Sequence, residues 1–267
     1  MKISFIGAGN MATAIIKSIV LSGRVAADSI YVYDKLEDKT DALCSLGINK
    51  CLSVADAVNS AENLLLAVKP QDYEDVLNSV RNSGADVKNK TVISIAAAIS
   101  CEYICKVLGV DCPVIRVMPN TPLMLGVGAT AISRNSLVSD KSYSKICTLF
   151  AASGAVCSLD ESLMNSVISV NSSSPVYLYL LAKAMIDKSV AYGISEKNST
   201  ELVYQTLRGS VEMLIKSGKS PDELIKMVAS PGGTTLAAIS SLENDCFNDV
   251  ISRAMDACTS RADELSK

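Results

Sequence analysis

The 267-residue chain contains no histidine. That removes the side chain most often used to move protons near neutral pH. Nine cysteines are present, but without metal-ligand spacing: Cys101 and Cys105 stand four apart and no second pair follows. No metal site is expected, and the thiols read as structural groups in a reducing compartment. Basic runs are absent and the formal net charge is −3, which argues against nucleic acid as a partner. No apolar run reaches membrane-spanning length without a charge or turn residue, and the opening Met1–Gly7 meets glycine too soon for a signal-peptide core. A cytoplasmic protein with neither membrane nor nucleic-acid partners is the expectation.

What is present begins with a short apolar strand, Ile3–Ile6, followed by Gly7-Ala8-Gly9-Asn10-Met11-Ala12 and a helix to about Leu21. This is the G-x-G-x-x-A form of the dinucleotide fingerprint. The first glycine makes the tight turn, the second lets a pyrophosphate approach the backbone, and Ala12 keeps helix and strand close. A second strand, Ile30–Tyr33, ends in Asp34, about where a ribose-binding carboxylate belongs; the bland alternative is a strand-end turn residue. Apolar strands recur at Leu64–Val68, Thr91–Ile95 and Val114–Val117, with helices between, and shorter stretches at Ala129–Ser133 and Ala155–Leu159 extend the sheet. Ligands of such sheets lie beyond the carboxyl ends of the strands. One rim should therefore gather Ile6–Met11, Ala67, Val68, Lys69, Pro70, Ile95, Ala96, Ala97 and Asn120.

From Glu161 the pattern turns all-helical. The expected fold is thus an N-terminal doubly wound α/β sheet over 1–160 and a helical domain over 161–267. Pro175–Tyr192 is apolar almost all round, which calls for a second subunit or a bundle to cover it. Ser220-Pro221-Asp222-Glu223 reads as a capping box. Next comes Ser230-Pro231-Gly232-Gly233-Thr234-Thr235, a site suited to a small carboxylate. Proline suits the first helical position, glycines let a ligand reach the backbone, and N–H groups at the helix start point outward. A plain Ser-Pro helix start is the alternative.

Four stretches in this order carry a resemblance over the whole chain: Phe5–Ala12, Ala67-Val68-Lys69-Pro70-Gln71, Arg116-Val117-Met118-Pro119-Asn120-Thr121-Pro122 and Ser230–Thr235. The sequence resembles the pyrroline-5-carboxylate reductase family of proline biosynthesis. The resemblance implies that Gly7–Met11, Ala67–Pro70 and the Ile95–Ala97 turn hold NADPH or NADH. It also implies that Ser230, Gly232, Gly233, Thr234 and Thr235 hold the cyclic imine carboxylate, with Glu161 nearby. Helix-swapped homodimers, in many members assembled into a decamer of five dimers, are implied as well. Four positions depart from the family's habit: Ser172 and Ser174 replace glycines, Ala98 replaces a third, and Val54 replaces an asparagine. Serine would be strained wherever the backbone requires positive φ.

Reducing a cyclic imine needs a hydride on carbon, supplied by a nicotinamide, and a proton on nitrogen. In the expected arrangement, N–H groups of Gly233, Thr234 and Thr235 hold the carboxylate. Thr235 Oγ, the expected catalytic group, meets the ring nitrogen, and Glu161 stabilises the iminium charge or is merely a solvated helix carboxylate. Asp34 repels a ribose phosphate, so NADH should serve at least as well as NADPH. Two alternatives stand beside this reading: a β-hydroxyacid-type dehydrogenase with Lys183 as acid/base, and a non-catalytic dinucleotide-binding relative.

Overall fold

The computed structural model describes residues 1–266. The first elements are β1 (Ile3–Ile6), α1 (Asn10–Leu21), β2 (Ile30–Tyr33), α2 (Glu37–Cys44), β3 (Asn49–Lys50), α3 (Val54–Ser60) and β4 (Asn63–Leu66). They continue with α4 (Tyr73–Arg81), β5 (Thr91–Ser94), α5 (Cys101–Leu108), β6 (Val114–Met118), β7 (Gly128–Arg134), α6 (Asp140–Ala151) and β8 (Gly154–Ser158). The eight strands form one sheet in the order β3-β2-β1-β4-β5-β6-β7-β8, reversing direction only between β6 and β7. The strands β1, β4, β5 and β6 are buried throughout, which is why they read as largely apolar runs. On one face Ile15, Ile16 and Ile19 of α1 join Ile146, Leu149 and Phe150 of α6 against Phe5, Ile93 and Ile115. On the other, Ala57, Val58, Leu77, Val80, Ile104 and Leu108 cover Leu64, Leu66, Val92 and Val114. This is the expected doubly wound sheet.

A second set of elements is helical: α7 (Pro175–Ala191), α8 (Glu196–Lys216), α9 (Pro221–Val228), α10 (Thr234–Asn244) and α11 (Phe247–Glu264). The capping box at Ser220 forms, with Glu223 accepting from the Ser220 N–H at 2.8 Å. The two compact units divide between Ser173 and Ser174, beyond the 160/161 boundary expected from the sequence, and residues from Cys258 onward rejoin the first unit. The cause is local. Asn171 Nδ2 donates to Met118 O at 2.7 Å and to Ala129 O at 3.1 Å, fastening one π-helical turn (Ile168–Ser172) to β6 and β7. Met164, Ile168 and Ala262 pack with Met118 and Ala131 beside it.

In the helical unit, α7 buries only Ala182 and leaves Val176, Leu178, Tyr179, Leu180 and Leu181 exposed in the single chain. Neither serine that replaces a family glycine is strained: Ser172 lies in the π-helical turn, and Ser174 has φ −60°. Positive φ falls instead on Ala98 (62°) and Cys246 (54°) among the described non-glycine residues. Among the described residues no helix is long and apolar enough to cross a membrane.

Candidate active site

The carboxyl ends of β2, β1, β4, β5 and β6 lie side by side, so Ile6–Met11, Asp34, Ala67–Pro70 and Ile95–Ala97 share one rim. Gly7 has φ +104° and donates its N–H to Tyr33 O at 2.8 Å. A Cβ there would lie 2.5 Å from Ala67 O, so only glycine lets β1 turn so close to β4. Gly9 is different. A Cβ on it would meet nothing within 4 Å, and it caps α1 with no side chain bonded to the helix N-terminus and no acidic residue in the first turn. The first N–H groups of α1 therefore face open space over a backbone without a side chain, which fits the pyrophosphate of a dinucleotide.

Asp34 is half-buried at the end of β2. Its Oδ2 accepts from the Ala8 N–H at 2.7 Å and its Oδ1 from the Leu36 N–H at 2.9 Å. The carboxylate is thus fixed beside the glycine loop. Each oxygen keeps capacity for a further donor, as a ribose hydroxyl would supply. Asn120 stands at the end of β6, but its side chain faces inward: Nδ2 donates to Asn171 O at 3.2 Å and Oδ1 accepts from the Ala129 N–H at 2.9 Å. It shapes the rim from beneath and does not present its amide to a ligand.

The substrate loop corrects one local expectation. Pro231 does not open the helix; residues 231–233 form a turn, Gly232 takes φ +70°, and Gly233 is the N-cap of α10. The Gly233 N–H is already used, donating to Ser230 O at 3.0 Å, so it is not a free carboxylate donor. The open donors are those of the first helical turn, Thr234, Thr235 and Leu236, which by position lack intrahelical acceptors. A Cβ on Gly233 would sit 2.5 Å from Ser230 Oγ, so that hydroxyl takes the space a side chain would fill. Thr235 is half-buried and lines a largely apolar cavity of about 990 Å³ with Met213, Ile225, Ile239 and Phe247.

Glu161 lies in the first unit, outside the unit that carries the Ser230–Thr235 loop. Its Oε1 accepts from the Cys101 N–H at 2.7 Å and from Arg116 Nη1 at 3.3 Å. The sequence did contain a sign of this pair: Arg116 interrupts an apolar strand, and a charge so placed needs a partner. Lys183 is 71% exposed at its side chain and pairs with Asp187 one turn along α7, the habit of a solvated lysine and not of a buried acid/base.

A nucleotide-ready rim on a doubly wound sheet, followed by a helical unit with a second anion-suited helix start, defines a dinucleotide-dependent oxidoreductase. Family models agree on both halves. "NADP oxidoreductase coenzyme F420-dependent" matches residues 2–98, and "Pyrroline-5-carboxylate reductase dimerisation" matches residues 161–265. Pyrroline-5-carboxylate reductase of Escherichia coli is 34% identical over 267 residues, covering 100% of this chain and 98% of the relative. The Arabidopsis thaliana enzyme is 32% identical over 268 residues, covering 100% and 96%. Among solved structures, the Coxiella burnetii reductase superposes with a TM-score of 0.91 at 29% identity, over 100% of this chain and 98% of that one. The Plasmodium falciparum reductase, solved with NADP bound, gives 0.91 at 26% over the same shares. The chain belongs to the pyrroline-5-carboxylate reductase family. It is an NAD(P)H-dependent oxidoreductase that reduces 1-pyrroline-5-carboxylate to proline, and it forms a homo-oligomer.

Proposed function

We propose that the labour divides near residue 160: residues 1–160 hold the dinucleotide, and 161–267 hold the imine carboxylate and supply the subunit contact. The observation that carries this is a pair of glycine-capped helix starts, Gly9 before α1 and Gly233 before α10, neither with a side-chain cap nor an acid in its first turn. Each is an anion site by construction. Gly7–Met11 would take the pyrophosphate, Asp34 the adenosine ribose, Ala67–Pro70 and Ile95–Ala97 the flanks of the cofactor. The N–H groups of Thr234 and Thr235 would take the substrate carboxylate.

The reduced nicotinamide, when bound, supplies the hydride. The chain's own task is to hold the imine carbon at the right distance and to manage one proton on nitrogen. With no histidine in the sequence, the group in this reading that hydrogen-bonds the ring nitrogen is Thr235 Oγ, passing a proton from water. A protonated imine is already electrophilic, so no stronger acid is needed. The fixed Asp34 carboxylate supports use of NADH at least as readily as NADPH. The exposed apolar face of α7 supports a dimer built through the helical unit, with a decamer of five dimers as its further assembly and the cytoplasm as its location.

The reading is tested by Thr235→Val, which keeps the volume and removes the hydroxyl. Turnover should drop by roughly tenfold to a thousandfold with cofactor affinity unchanged. Thr234→Val should be milder, because its contribution is a backbone N–H. Wild-type turnover in Thr235→Val would remove that hydroxyl from the mechanism.

A further inference from the structure

Arg116 is a cation inside the sheet, on β6 between its parallel neighbour β5 and its antiparallel neighbour β7. Its side chain is 5% exposed, on a strand otherwise made of Val114, Ile115, Val117 and Met118. A charge buried in this way must be neutralised and hydrogen-bonded. Nη1 meets Glu161 Oε1 at 3.3 Å and Nη2 meets Asn165 Oδ1 at 3.4 Å. Asn165 Nδ2 in turn donates to Asp263 Oδ1 at 2.9 Å and Ser266 Oγ at 2.7 Å. The guanidinium therefore organises the turn after β8 and the end of α11 together.

The same Glu161 oxygen that meets Arg116 also accepts the N–H of Cys101, the first residue of α5. At the opposite end of the β5–α5 turn, Ser94 is pinned by Tyr73, whose hydroxyl lies 2.8 Å from Ser94 Oγ and donates to Leu66 O at 3.0 Å. The turn is thus fixed at both ends by polar contacts, buried at Ser94 and part-buried at Cys101. Between them Ala98, 3% exposed, sits at φ +62°. A residue with a Cβ stays in that left-handed conformation only when its surroundings over-determine it.

We propose that Arg116 and Glu161 are positioning residues, which hold the 95–100 turn in the shape that meets the cofactor. Glu161 then acts on the dinucleotide half of the site and not on the substrate. This rests on the reading of Ile95–Ala97 as a cofactor contact. Removing the charge of Glu161 leaves an oxygen able to accept from Cys101 but no longer neutralises the guanidinium, so the turn loosens without losing its whole anchor.

The test uses full-length Glu161→Gln, Arg116→Met and Ala97→Leu. NADH and NADPH dissociation constants come from fluorescence titration, and kcat and KM for pyrroline-5-carboxylate are taken at saturating cofactor. Glu161→Gln should weaken both cofactors by roughly tenfold or more, leave the substrate KM within about twofold, and speed hydrogen exchange in peptides spanning 95–101. If Arg116→Met does not fold, Glu161→Gln carries the test alone. A raised substrate KM at unchanged cofactor affinity would return Glu161 to the substrate side and overturn the proposal, as would wild-type behaviour in both measurements. Ala97→Leu separates the two layers of the reading. If it weakens cofactor binding while Glu161→Gln does not, only the positioning role fails. If Ala97→Leu binds cofactor like wild type, the turn does not face the dinucleotide, and both readings fall.

Discussion

Gly7 and Gly9 are two residues apart in one loop, yet alanine at each should fail for a different reason. At Gly7 the new Cβ would lie 2.5 Å from Ala67 O and 2.8 Å from Ala67 C, with φ at +104°. Ala67 cannot retreat, because its N–H is bonded to Ile6 O at 2.8 Å and β4 is held between β1 and β5. The backbone conformation costs a non-glycine residue ~1–3 kcal/mol. Overlap with fixed backbone adds ~1–3 kcal/mol. The stiffer unfolded chain returns only ~0.4–1 kcal/mol. Gly7→Ala should therefore lose about 1–6 kcal/mol of stability, a large share of what a folded domain has. At Gly9 φ is −71° and the Cβ meets nothing within 4 Å. The gain from a stiffer unfolded chain and the loss of a favourable helix cap offset each other to within about 1 kcal/mol. The methyl would, however, fill the space a pyrophosphate must enter, so cofactor affinity should fall at least about tenfold, or ~1.4 kcal/mol. Urea unfolding followed by circular dichroism and fluorescence titration with NADH and NADPH read the two effects separately. If Gly9→Ala is as unstable as Gly7→Ala, or binds cofactor like wild type, the anion cradle has been put in the wrong place.

Asp34→Asn keeps an acceptor for the Ala8 N–H and removes the charge, so the NADPH-to-NADH ratio of kcat/KM should rise by roughly one to two decades, ~1–3 kcal/mol. Asp34→Ser loses that contact, leaves a buried N–H unmet and should bind both cofactors less well than Asp34→Asn; a wild type already preferring NADPH tenfold would show that Asp34 does not face the ribose. Burial pushes the Cys112 thiol up to about 12, and burial with Glu161 raises that of Cys101 as well. Their folded pKa values lie above the unfolded value near 8.5, so this stability is complete below about pH 8.5 and is lost as pH rises through the folded values, by up to ~1.4 kcal/mol per pH unit and thiol. Urea midpoints between pH 8 and 11 should show the fall, and Cys112→Ala should make it shallower; an unchanged slope would exclude that thiol. Sedimentation at micromolar concentration should give a dimer or larger, and Leu180→Glu, placed on the exposed apolar face of α7, should shift it towards monomer. A folded wild-type monomer would contradict the role given to that helix.

The sheet was legible because buried parallel strands leave unbroken apolar runs such as Leu64–Leu66, and because Gly7–Ala12 falls between a strand and a helix. Less visible were α2, which buries only Thr40 and Leu43, and the two-residue edge strand β3, too short to have a period. The reversed direction of β7 leaves no trace in composition, since either direction wants the same side chains. Around the site, the sequence named residues without knowing which of their atoms were already engaged. Asn120, Glu161 and the Gly233 N–H each turned out to serve the protein's own backbone or side chains. Of the three positions where the family carries glycine, Ser172 and Ser174 have no positive φ and Ala98 does, so the absent glycines marked one strained site without showing which of the three it was.

The route of the chain has a consequence during synthesis. The cluster of Met118, Ala131, Met164 and Ile168 is closed by Ala262, and Asn165 finds its partners in Asp263 and Ser266. Those residues are translated after the entire helical unit, Ser174–Ala257. At ~5–20 residues per second, Ser173 precedes Cys258 by roughly 4–17 s, so the nucleotide-binding unit waits that long for its last pieces while its sheet has already emerged. During that interval an apolar patch on β6 and β7 lies open and Asn165, a ligand of Arg116, lacks its α11 partners, and a chaperone that shields exposed apolar surface would find its footing there.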